Sequence, residues 1–310
     1  MVKYSAYWAG CENFGDQLTR DILFRGFAKI DWSEKCYAKI VGTGSILSWF
    51  LSEEELPKPL KNYPLYVFGT GLDDKDLRSE NSKFIRKVKC YAVRGRYSLD
   101  FLKKKASLIG DSEVVLGDTG LLVSSLYDSS PLKKYDLGII PHYVDKNDVR
   151  FVELQKNINN SIILDVQSDT GFFLKELSQC RYVISTAMHP LIACDALGIP
   201  NMWCFLPNAN QVDMTFKFLD YYSAFGINMK PYVLDKAGLQ RNIIKIVKDR
   251  YCVPAIKVKE LCSKLEEARV RMICDMKKDV IEDAKVKFYL IADRAERKII
   301  KRNLMCNWCK

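Results

Sequence analysis

The first part of the chain is built from short apolar runs, each followed by a glycine-containing or polar turn. These runs predict strands at residues 2–8, 38–41, 65–68 and 90–93, with a further short strand between residues 107 and 117. After the first run, Leu18, Ile22 and Leu23 recur at the spacing of one helix face, and residues 98–104 repeat that spacing. Strand, turn and helix in alternation are typical of a parallel sheet covered by helices.

The pattern restarts after the polar stretch at residues 127–135, which we interpret as a linker. Strands are predicted at residues 137–140, 161–166, 182–185 and 201–205, and helices at residues 170–179 and 189–197. The sequence therefore predicts an α/β fold of two doubly wound units, residues 1–130 and 131–235. Apolar positions at helical spacing among many Lys and Glu residues predict a helical, basic C-terminal extension at residues 236–310.

Composition supports a globular, intracellular protein. The chain has 310 residues, of which 48% are hydrophobic and 28% charged, a balance typical of folded domains. No apolar run is long enough to span a bilayer, and the first residues lack a secretory signal, so we expect a soluble cytoplasmic protein. The eleven cysteines are scattered and are expected to be reduced, and Cys306 and Cys309 lack further ligands for a zinc site.

The formal charge of +10 favours anionic partners. Many of the basic residues lie at positions 281–310, where an amphipathic helix could lie peripherally on an anionic membrane surface or pack against the core. We do not expect a nucleic-acid partner, because the Lys and Arg residues are mixed with Asp and Glu rather than interleaved with aromatic residues. No metal-binding motif or cofactor fingerprint is present in the sequence.

Glycine turns follow two of the predicted strands. Gly44 and Ser45 belong to one turn and Gly71 to the other. Small residues at such turns let backbone N–H groups approach a phosphate, although glycine is equally needed for a tight turn out of a sheet. We interpret Gly44, Ser45 and Gly71 as candidate positions for binding a substrate that carries a phosphate.

Polar side chains at other strand ends are further candidates. Asn13 and Asp16 either cap the helix that follows them or bind substrate. Arg94 and Arg96 flank a glycine after an apolar strand, where guanidinium groups suit a carboxylate or phosphate. Asp118 follows a short apolar run, where it either caps a helix or faces the cleft.

The chain has only two histidines, and both follow predicted strands. His142 lies in IIPHY, and His189 lies in ISTAMHP, at the start of a predicted helix. Ligands bind at strand ends in folds of this class, and imidazole exchanges protons readily near neutral pH. We therefore predict that His189 and His142 lie in the active site.

An ordered series of motifs extends from about residue 8 to about residue 227: NFGDQLT, GTGSIL, VFGTG, VRGRYSLDFL, LGDTGLL, GIIPHY, VISTAMHPLIACDALGIP and KFLDYYSAFGI. Together these motifs resemble the polysaccharide pyruvyltransferase family, in the branch that modifies bacterial exopolysaccharides and capsules. The resemblance implies a glycosyltransferase-B-like fold with two Rossmann-like lobes.

The resemblance also implies a reaction. A ketal pyruvyltransferase moves the pyruvyl group of phosphoenolpyruvate onto two hydroxyls of one sugar and releases phosphate, with no further cofactor. The acceptor would be a lipid-linked oligosaccharide precursor at the inner face of the cell membrane. In this interpretation His189 is the general acid, and the base that takes the proton of an acceptor hydroxyl is His142, Asp16 or Asp118. Arg94 and Arg96 bind the donor, and Asn13 and Asp118 bind the acceptor. The catalytic residues that the resemblance implies are thus His189, His142 and Asp16.

Two departures from the family pattern leave other functions open. Relatives often carry a charge where Thr186 and Ala187 stand, and a glycine where Pro190 follows the histidine. One alternative is a nucleotide-sugar glycosyltransferase of the same architecture, although Asp195 is poorly placed for a ribose. The other is a non-catalytic partner in a membrane glycan-assembly complex.

Overall fold

The structure is a computed structural model, and it describes residues 3–7, 13–23, 25, 29–33, 38–50, 64–73, 84, 86–109, 113–127, 131–207 and 215–278. The basic segment at 281–310, with Cys306 and Cys309, lies outside the described residues. Within the described ranges, no helix is both long enough and apolar enough to cross a membrane.

The first sheet contains six parallel strands. They are β1 (Lys3–Tyr7), β2 (Lys29–Ser33), β3 (Ile40–Val41), β4 (Leu65–Thr70), β5 (Val88–Val93) and β6 (Val115–Leu116), in the order β2-β1-β3-β4-β5-β6. Every residue of β4 is buried, as expected for a central strand of a parallel sheet whose two faces are both covered.

The second sheet contains five parallel strands. They are β7 (Tyr135–Ile140), β8 (Ser161–Ile163), β9 (Cys180–Ser185), β10 (Asn201–Phe205) and β11 (Tyr232–Val233), in the order β11-β10-β9-β7-β8. The predicted α/β class with parallel sheets is confirmed. Strand β2 was not predicted, because its KIDWS sequence lacks a continuous apolar run.

Helices connect the strands in both parts of the chain. They are α1 (Phe14–Leu23), α2 (Arg96–Lys105), α3 (Val149–Asn157), α4 (Thr170–Ser178), α5 (Met188–Ala196), α6 (Thr215–Ser223), α7 (Lys236–Leu239), α8 (Ile243–Arg250) and α9 (Ala255–Lys278). Short 3-10 helices cover Leu47–Phe50 and Thr119–Ser125. Aspartates cap several of them: Asp169 accepts hydrogen bonds from the backbone N–H groups of Gly171 and Phe172 at the start of α4.

Both sheets reverse their strand order at the same relative position. After β1 the chain adds β2 on one side and then crosses to place β3 on the other side of β1, and β7, β8 and β9 repeat this arrangement. In open parallel sheets, ligands bind outside the carboxyl ends of the strands at this reversal. The segments after β1, β3, β7 and β9 are therefore the places where the topology favours a ligand.

Helix α6 links the two sheets. Phe218 stacks on Trp203 of β10, with ring centroids 4.4 Å apart, while the Asp220 carboxylate pairs with the Arg94 guanidinium at the end of β5. Gly95 is required at this contact, because a Cβ there would lie 1.7 Å from the Asp220 carbonyl oxygen. The part of α6 between these contacts is thereby held where the two sheets meet.

The C-terminal helices pack against both parts of the core. Helix α8 covers β9 and β10, whereas α9 packs on β5, β6 and the Thr119–Ser125 turn. The Tyr91 hydroxyl donates to Asp275 of α9 over 2.7 Å, and Arg269 of α9 donates to the Leu23 carbonyl over 3.3 Å. Residues 236–278 therefore belong to the packed structure, and the predicted boundaries at residues 130 and 235 remain predictions.

Candidate active site

A pocket of about 210 Å³ lies where the carboxyl ends of strands from both sheets come together. Residues after β1, β3 and β4 form one wall, and residues after β7, β8 and β9 form the other. The lining includes the following polar residues: Asn13, Asp16, Ser45, Asp73, His142, Tyr143, His189 and Lys217. The pocket thus occupies the place that the strand-order reversals of both sheets favour.

The first turn of α1 supplies Asn13 and Asp16. Asn13 accepts a hydrogen bond from the Asp16 backbone N–H over 3.1 Å, and its amide donates to the Asp16 carboxylate over 2.7 Å. This reciprocal cap fixes both side chains at the pocket wall. Burial raises the pKa of Asp16 to about 6, against the opposing effects of the Asn13 hydrogen bond and of nearby Lys217. Asp16 can therefore exchange a proton close to neutral pH.

The turn after β3 is held by backbone geometry. Gly44 has φ +117°, a conformation that favours glycine, and its carbonyl accepts from the Gly71 N–H and the Thr70 hydroxyl. The neighbouring Ser45 hydroxyl accepts a hydrogen bond from Arg94 over 2.7 Å. Gly44 and Ser45 line the pocket, and Gly71 supports their turn from outside it.

His189 is the second residue of α5 and is half-buried. Its ring packs against Gly15 so closely that a Cβ on Gly15 would lie 1.9 Å from His189 Nδ1. Burial, together with the nearby cations Lys217 and Arg94, lowers the pKa of His189 to about 3. The ligand-free imidazole is therefore neutral at physiological pH.

His142 follows β7 and faces the same pocket. The Thr186 hydroxyl accepts from the His142 backbone N–H over 2.8 Å and donates to the buried Asp145 carboxylate over 3.3 Å. Burial, with a smaller contribution from Lys217, lowers the pKa of His142 to about 3. Both histidines of the chain thus present neutral imidazoles to one cavity.

Lys217 of α6 is a pocket residue that the sequence analysis did not identify. Burial and the nearby Arg94 lower the pKa of Lys217 to about 8, while surrounding carboxylates, including Asp73 and Asp16, act in the opposite direction. At neutral pH the ammonium group stays largely charged and brings a cation into a partly desolvated cavity. The only sequence signal was a lysine between aromatic residues in the TFKFLDYY segment.

Arg94 lies behind the pocket wall. Its guanidinium is fully buried and donates to Asp220, to the Ser45 hydroxyl and to the Leu72 carbonyl, so its hydrogen-bonding capacity is directed into the protein. Arg96 is exposed, and its backbone N–H donates to the Ser223 hydroxyl. Neither arginine is among the described residues that line the pocket.

Asp118 is also behind the wall. Its carboxylate is fully buried, caps the Thr119–Ser125 turn through the Gly120 N–H, and lies 3.8 Å from His189 Nε2. The predicted residues that the structure does bring together at the pocket are His189, His142, Asp16, Asn13, Gly44 and Ser45.

The arrangement combines a cation with groups that can move protons. A neutral imidazole or a carboxyl of raised pKa can accept or donate a proton, and a partly buried ammonium attracts an anion. Among the described residues, no cluster of His, Cys, Asp and Glu has the composition of a metal site. The geometry suits proton transfer to and from an anionic substrate.

Comparison with known proteins gives partial matches to two uncharacterised proteins. The chain is 34% identical over 170 residues to an uncharacterised protein of Acanthamoeba polyphaga mimivirus, an alignment that covers 54% of this chain and 56% of the viral protein. The chain thus spans only about half the length of that relative. A crystal structure of an uncharacterised Klebsiella pneumoniae protein superposes with a TM-score of 0.42 at 12% identity, covering 73% of this chain and 89% of that one.

The family assignment rests on a longer match. Residues 5–204, which include the strand ends after β1, β3, β7 and β9, match the polysaccharide pyruvyl transferase family. Both histidines, Asp16 and the glycine turn at Gly44 fall inside the matched region. Because the match covers well over half of the chain, this protein belongs to the polysaccharide pyruvyl transferase family.

Proposed function

We propose that this protein is a ketal pyruvyltransferase, which transfers the pyruvyl group of phosphoenolpyruvate to two hydroxyls of a sugar in a surface-polysaccharide precursor. The observation that carries the proposal is the convergence of both histidines, Asp16 and Lys217 on one pocket between the two sheets. The family match supports the reaction class, and the pocket chemistry supports an anionic donor.

The donor carries a phosphate and a carboxylate, and it needs a cation that reaches into the cavity. We assign this role to Lys217, because the Arg94 guanidinium is already directed at Asp220, Ser45 and Leu72. Arg94 instead holds Ser45 and α6, and thereby positions the cation. An ammonium group in a partly desolvated site binds phosphate strongly as a point charge.

The chemistry requires protons to enter and leave the site. A proton added to the methylene carbon of the donor makes its neighbouring carbon electrophilic, and a sugar hydroxyl then bonds to that carbon and loses its own proton. Departure of phosphate and attack by a second hydroxyl, whose proton passes to the departing phosphate, complete the ketal. We assign His189 as the acid that protonates the carbon, and Asp16 or His142 as the base for a hydroxyl.

We assign the acceptor to the part of the pocket that is lined by Asn13 and Asp16. Amide and carboxylate groups at a fixed helix terminus suit hydrogen bonds to sugar hydroxyls. We further propose that the acceptor is a lipid-linked oligosaccharide and that the protein works in the cytoplasm, peripherally on the inner face of the membrane. The excess of basic residues supports attraction to an anionic membrane surface.

A nucleotide-sugar donor is less well supported. The Asp195 carboxylate, the acid nearest to His189 in the following helix, accepts hydrogen bonds from Asn201 and from the Tyr221 hydroxyl, both over 2.7 Å. Both of its oxygens are thus used inside the core, and Asp195 is not among the described pocket residues. A ribose would need another partner.

Ligand-dependent thermal unfolding tests the proposal. Phosphoenolpyruvate is expected to raise the unfolding temperature, because a ligand at 100 times its Kd stabilises the folded state by about 2.7 kcal/mol. Lys217→Gln should abolish this shift. Lys245→Gln, which removes an exposed lysine of α8, should retain it. A shift produced by nucleotide sugars and not by phosphoenolpyruvate would reject the proposed donor.

Turnover supplies the second test. With phosphoenolpyruvate and a panel of sugar glycosides, the wild type should release phosphate and form a pyruvylated product detectable by mass spectrometry. His189→Gln should lose about 10²- to 10⁴-fold in kcat, the usual contribution of a general acid. Unchanged turnover in this variant would remove His189 from the chemistry.

A further inference from the structure

Two buried polar atoms that face each other behind the pocket have no hydrogen-bond partner among the residues that the structure describes. They are Asp118 Oδ2 and His189 Nε2, and they lie 3.8 Å apart. The other carboxylate oxygen, Oδ1, accepts from the Gly120 N–H over 2.8 Å, which fixes the orientation of Asp118. A polar atom without a hydrogen-bond partner in a protein interior destabilises the folded state, so two such atoms that face each other require an explanation.

The other ring nitrogen of His189 lies toward the pocket. Nδ1 lies against Gly15, a pocket-lining residue, and a Cβ there would lie only 1.9 Å from it. The imidazole is thus held between the Asp118 carboxylate on one side and the first turn of α1 on the other. In this orientation Nε2 faces Asp118, and Nδ1 lies beside Gly15 at the wall of the pocket.

Burial favours a neutral pair in the ligand-free protein, and the nearby cations add to this effect at His189. Burial raises the pKa of Asp118 to about 7, opposed by the Gly120 N–H and by Arg94 and assisted by Asp220. Burial, Lys217, Arg94 and His142 all lower the pKa of His189. A protonated carboxyl beside an unprotonated Nε2 therefore costs less than a buried carboxylate beside a buried imidazolium.

We propose that Asp118 is a positioning residue that shares one proton with His189 and sets its tautomer. In the ligand-free protein the proton is on Asp118 Oδ2, directed at Nε2, and the ring carries its own proton on Nδ1, facing the pocket. A movement of about 1 Å closes the 3.8 Å gap to a normal hydrogen bond.

An anion beside Lys217 changes the balance. Its negative charge favours the imidazolium, so the Asp118 O–H bond breaks as the Nε2–H bond forms, and the pair takes no proton from solvent. The imidazolium then donates its Nδ1 proton to the substrate, which leaves a neutral ring with a proton on Nε2 beside an Asp118 carboxylate. A proton released from an acceptor hydroxyl returns to Nδ1, and the Nε2 proton returns to Asp118.

The second part of this sequence rests on the proposed pyruvyl transfer, whereas the tautomer and the response to an anion do not. The two can therefore be separated by experiment. The chain has only two histidines, so ¹⁵N-histidine labelling of the full chain gives signals from His142 and His189 alone, which His142→Gln assigns. The nitrogen shifts report which ring nitrogen carries a proton.

Asp118→Asn is the central variant. An asparagine retains the Oδ1 cap on Gly120 and can direct an amide N–H at Nε2, but it cannot transfer a proton. Asp145→Asn is the matched control, because Asp145 is a buried carboxyl of similarly raised pKa that contacts His142 through Thr186.

We expect His189 in the wild type to carry its proton on Nδ1, and to become doubly protonated when inorganic phosphate or phosphoenolpyruvate is added. In Asp118→Asn the Nδ1 tautomer should remain and the second proton should be lost, with kcat about 10²- to 10⁴-fold lower and KM little changed. Asp145→Asn should leave the His189 signals as they are. An Nε2-protonated His189 in the ligand-free wild type, or a doubly protonated His189 in Asp118→Asn, would overturn the proposal whether or not pyruvate is transferred.

Discussion

The two sheets meet the same pocket with different chemistry. The first sheet's strands are followed by Asn13 and Asp16, which hydrogen-bond to each other, and by Ser45, which accepts from Arg94. The second sheet's strands are followed by the two imidazoles. Because both sheets reverse their strand order at equivalent positions, topology alone places a ligand site at each. The difference teaches that topology selects the location of the pocket, and that the residue types at the strand ends decide which chemical groups each sheet brings to it.

The largest effect is expected at the ion pair that connects the first sheet to helix α6. Arg94 and Asp220 form a fully buried ion pair between β5 and α6, over 3.0 Å. Arg94→Met would leave the Asp220 charge buried and unpaired, and it should lower the free energy of unfolding by about 3–5 kcal/mol. Urea denaturation measures the loss.

Its matched control is Arg20→Met. Arg20 pairs with Asp21 over 2.8 Å, but its side chain is 51% exposed, so the loss should stay below about 1 kcal/mol. Arg94→Met/Asp220→Leu, which removes both charges, should recover part of the stability. Equal stability of Arg94→Met and the wild type would show that the join is not electrostatic.

The second prediction concerns the contact between Gly15, which follows a strand of the first sheet, and His189, which follows a strand of the second sheet. Gly15 of α1 and Gly171 of α4 are each the second residue of a capped helix, but only Gly15 packs on an imidazole. Gly15→Ala must displace the His189 ring and should lower kcat by about 100-fold, the usual cost of a 1 Å misplacement.

At Gly171 an added Cβ would meet only the Asp169 carboxylate, at 3.3 Å. Gly171→Ala should therefore leave kcat unchanged and alter stability by less than about 1 kcal/mol. Steady-state kinetics of both variants decide the matter, and a similar kcat for the two would place His189 outside the reaction.

The sequence predicted the location of the site better than its charge. His142, His189 and Asp16 follow apolar strands, so the strand-end rule was enough to find them. Arg94 was predicted to bind the donor because it follows an apolar strand and matches the family motif. Its partner, Asp220, is 126 positions away, so nothing local reveals that the guanidinium is buried in an ion pair. The same distant ion pair brings Lys217 to the pocket, which explains why this lysine was missed.

The third prediction is that His142 and Asp16, which face the pocket from different sheets, change the free energy of unfolding with pH in opposite directions. The folded pKa of His142 is about 3 against 6.5 in the unfolded chain, so below pH 6.5 the unfolded state binds more protons and the wild type loses stability. His142→Gln removes this loss. Relative to the wild type, the variant should therefore gain about 2 kcal/mol between pH 6.5 and pH 5.

Asp16 should behave in the opposite way. Its folded pKa of about 6 exceeds the unfolded value of 3.8, so the folded state binds more protons between these limits, and the wild type gains stability as the pH falls through them. Asp16→Asn lacks this gain, so its free energy of unfolding should fall relative to that of the wild type from pH 6 to pH 4. Urea denaturation at several pH values measures both slopes, and slopes of the same sign would contradict the assigned environments.

The smallest effect is expected far from the pocket, where α9 attaches to the first sheet. The Tyr91 hydroxyl donates to the Asp275 carboxylate over 2.7 Å, at a site where Asp275 also pairs with Lys278. Tyr91→Phe keeps the ring, which stacks on Tyr66, and removes only this hydrogen bond. A bond to a charged acceptor contributes about 1.5–3 kcal/mol, and the lower end applies because Asp275 is partly exposed to water. Because the bond lies away from the pocket, phosphoenolpyruvate should stabilise Tyr91→Phe as much as the wild type. A weaker response to phosphoenolpyruvate in this variant would mean that α9 helps to hold together the strand ends that form the pocket. The arrangement of the two sheets at the pocket would then depend on α9 as well as on the pair of Arg94 and Asp220.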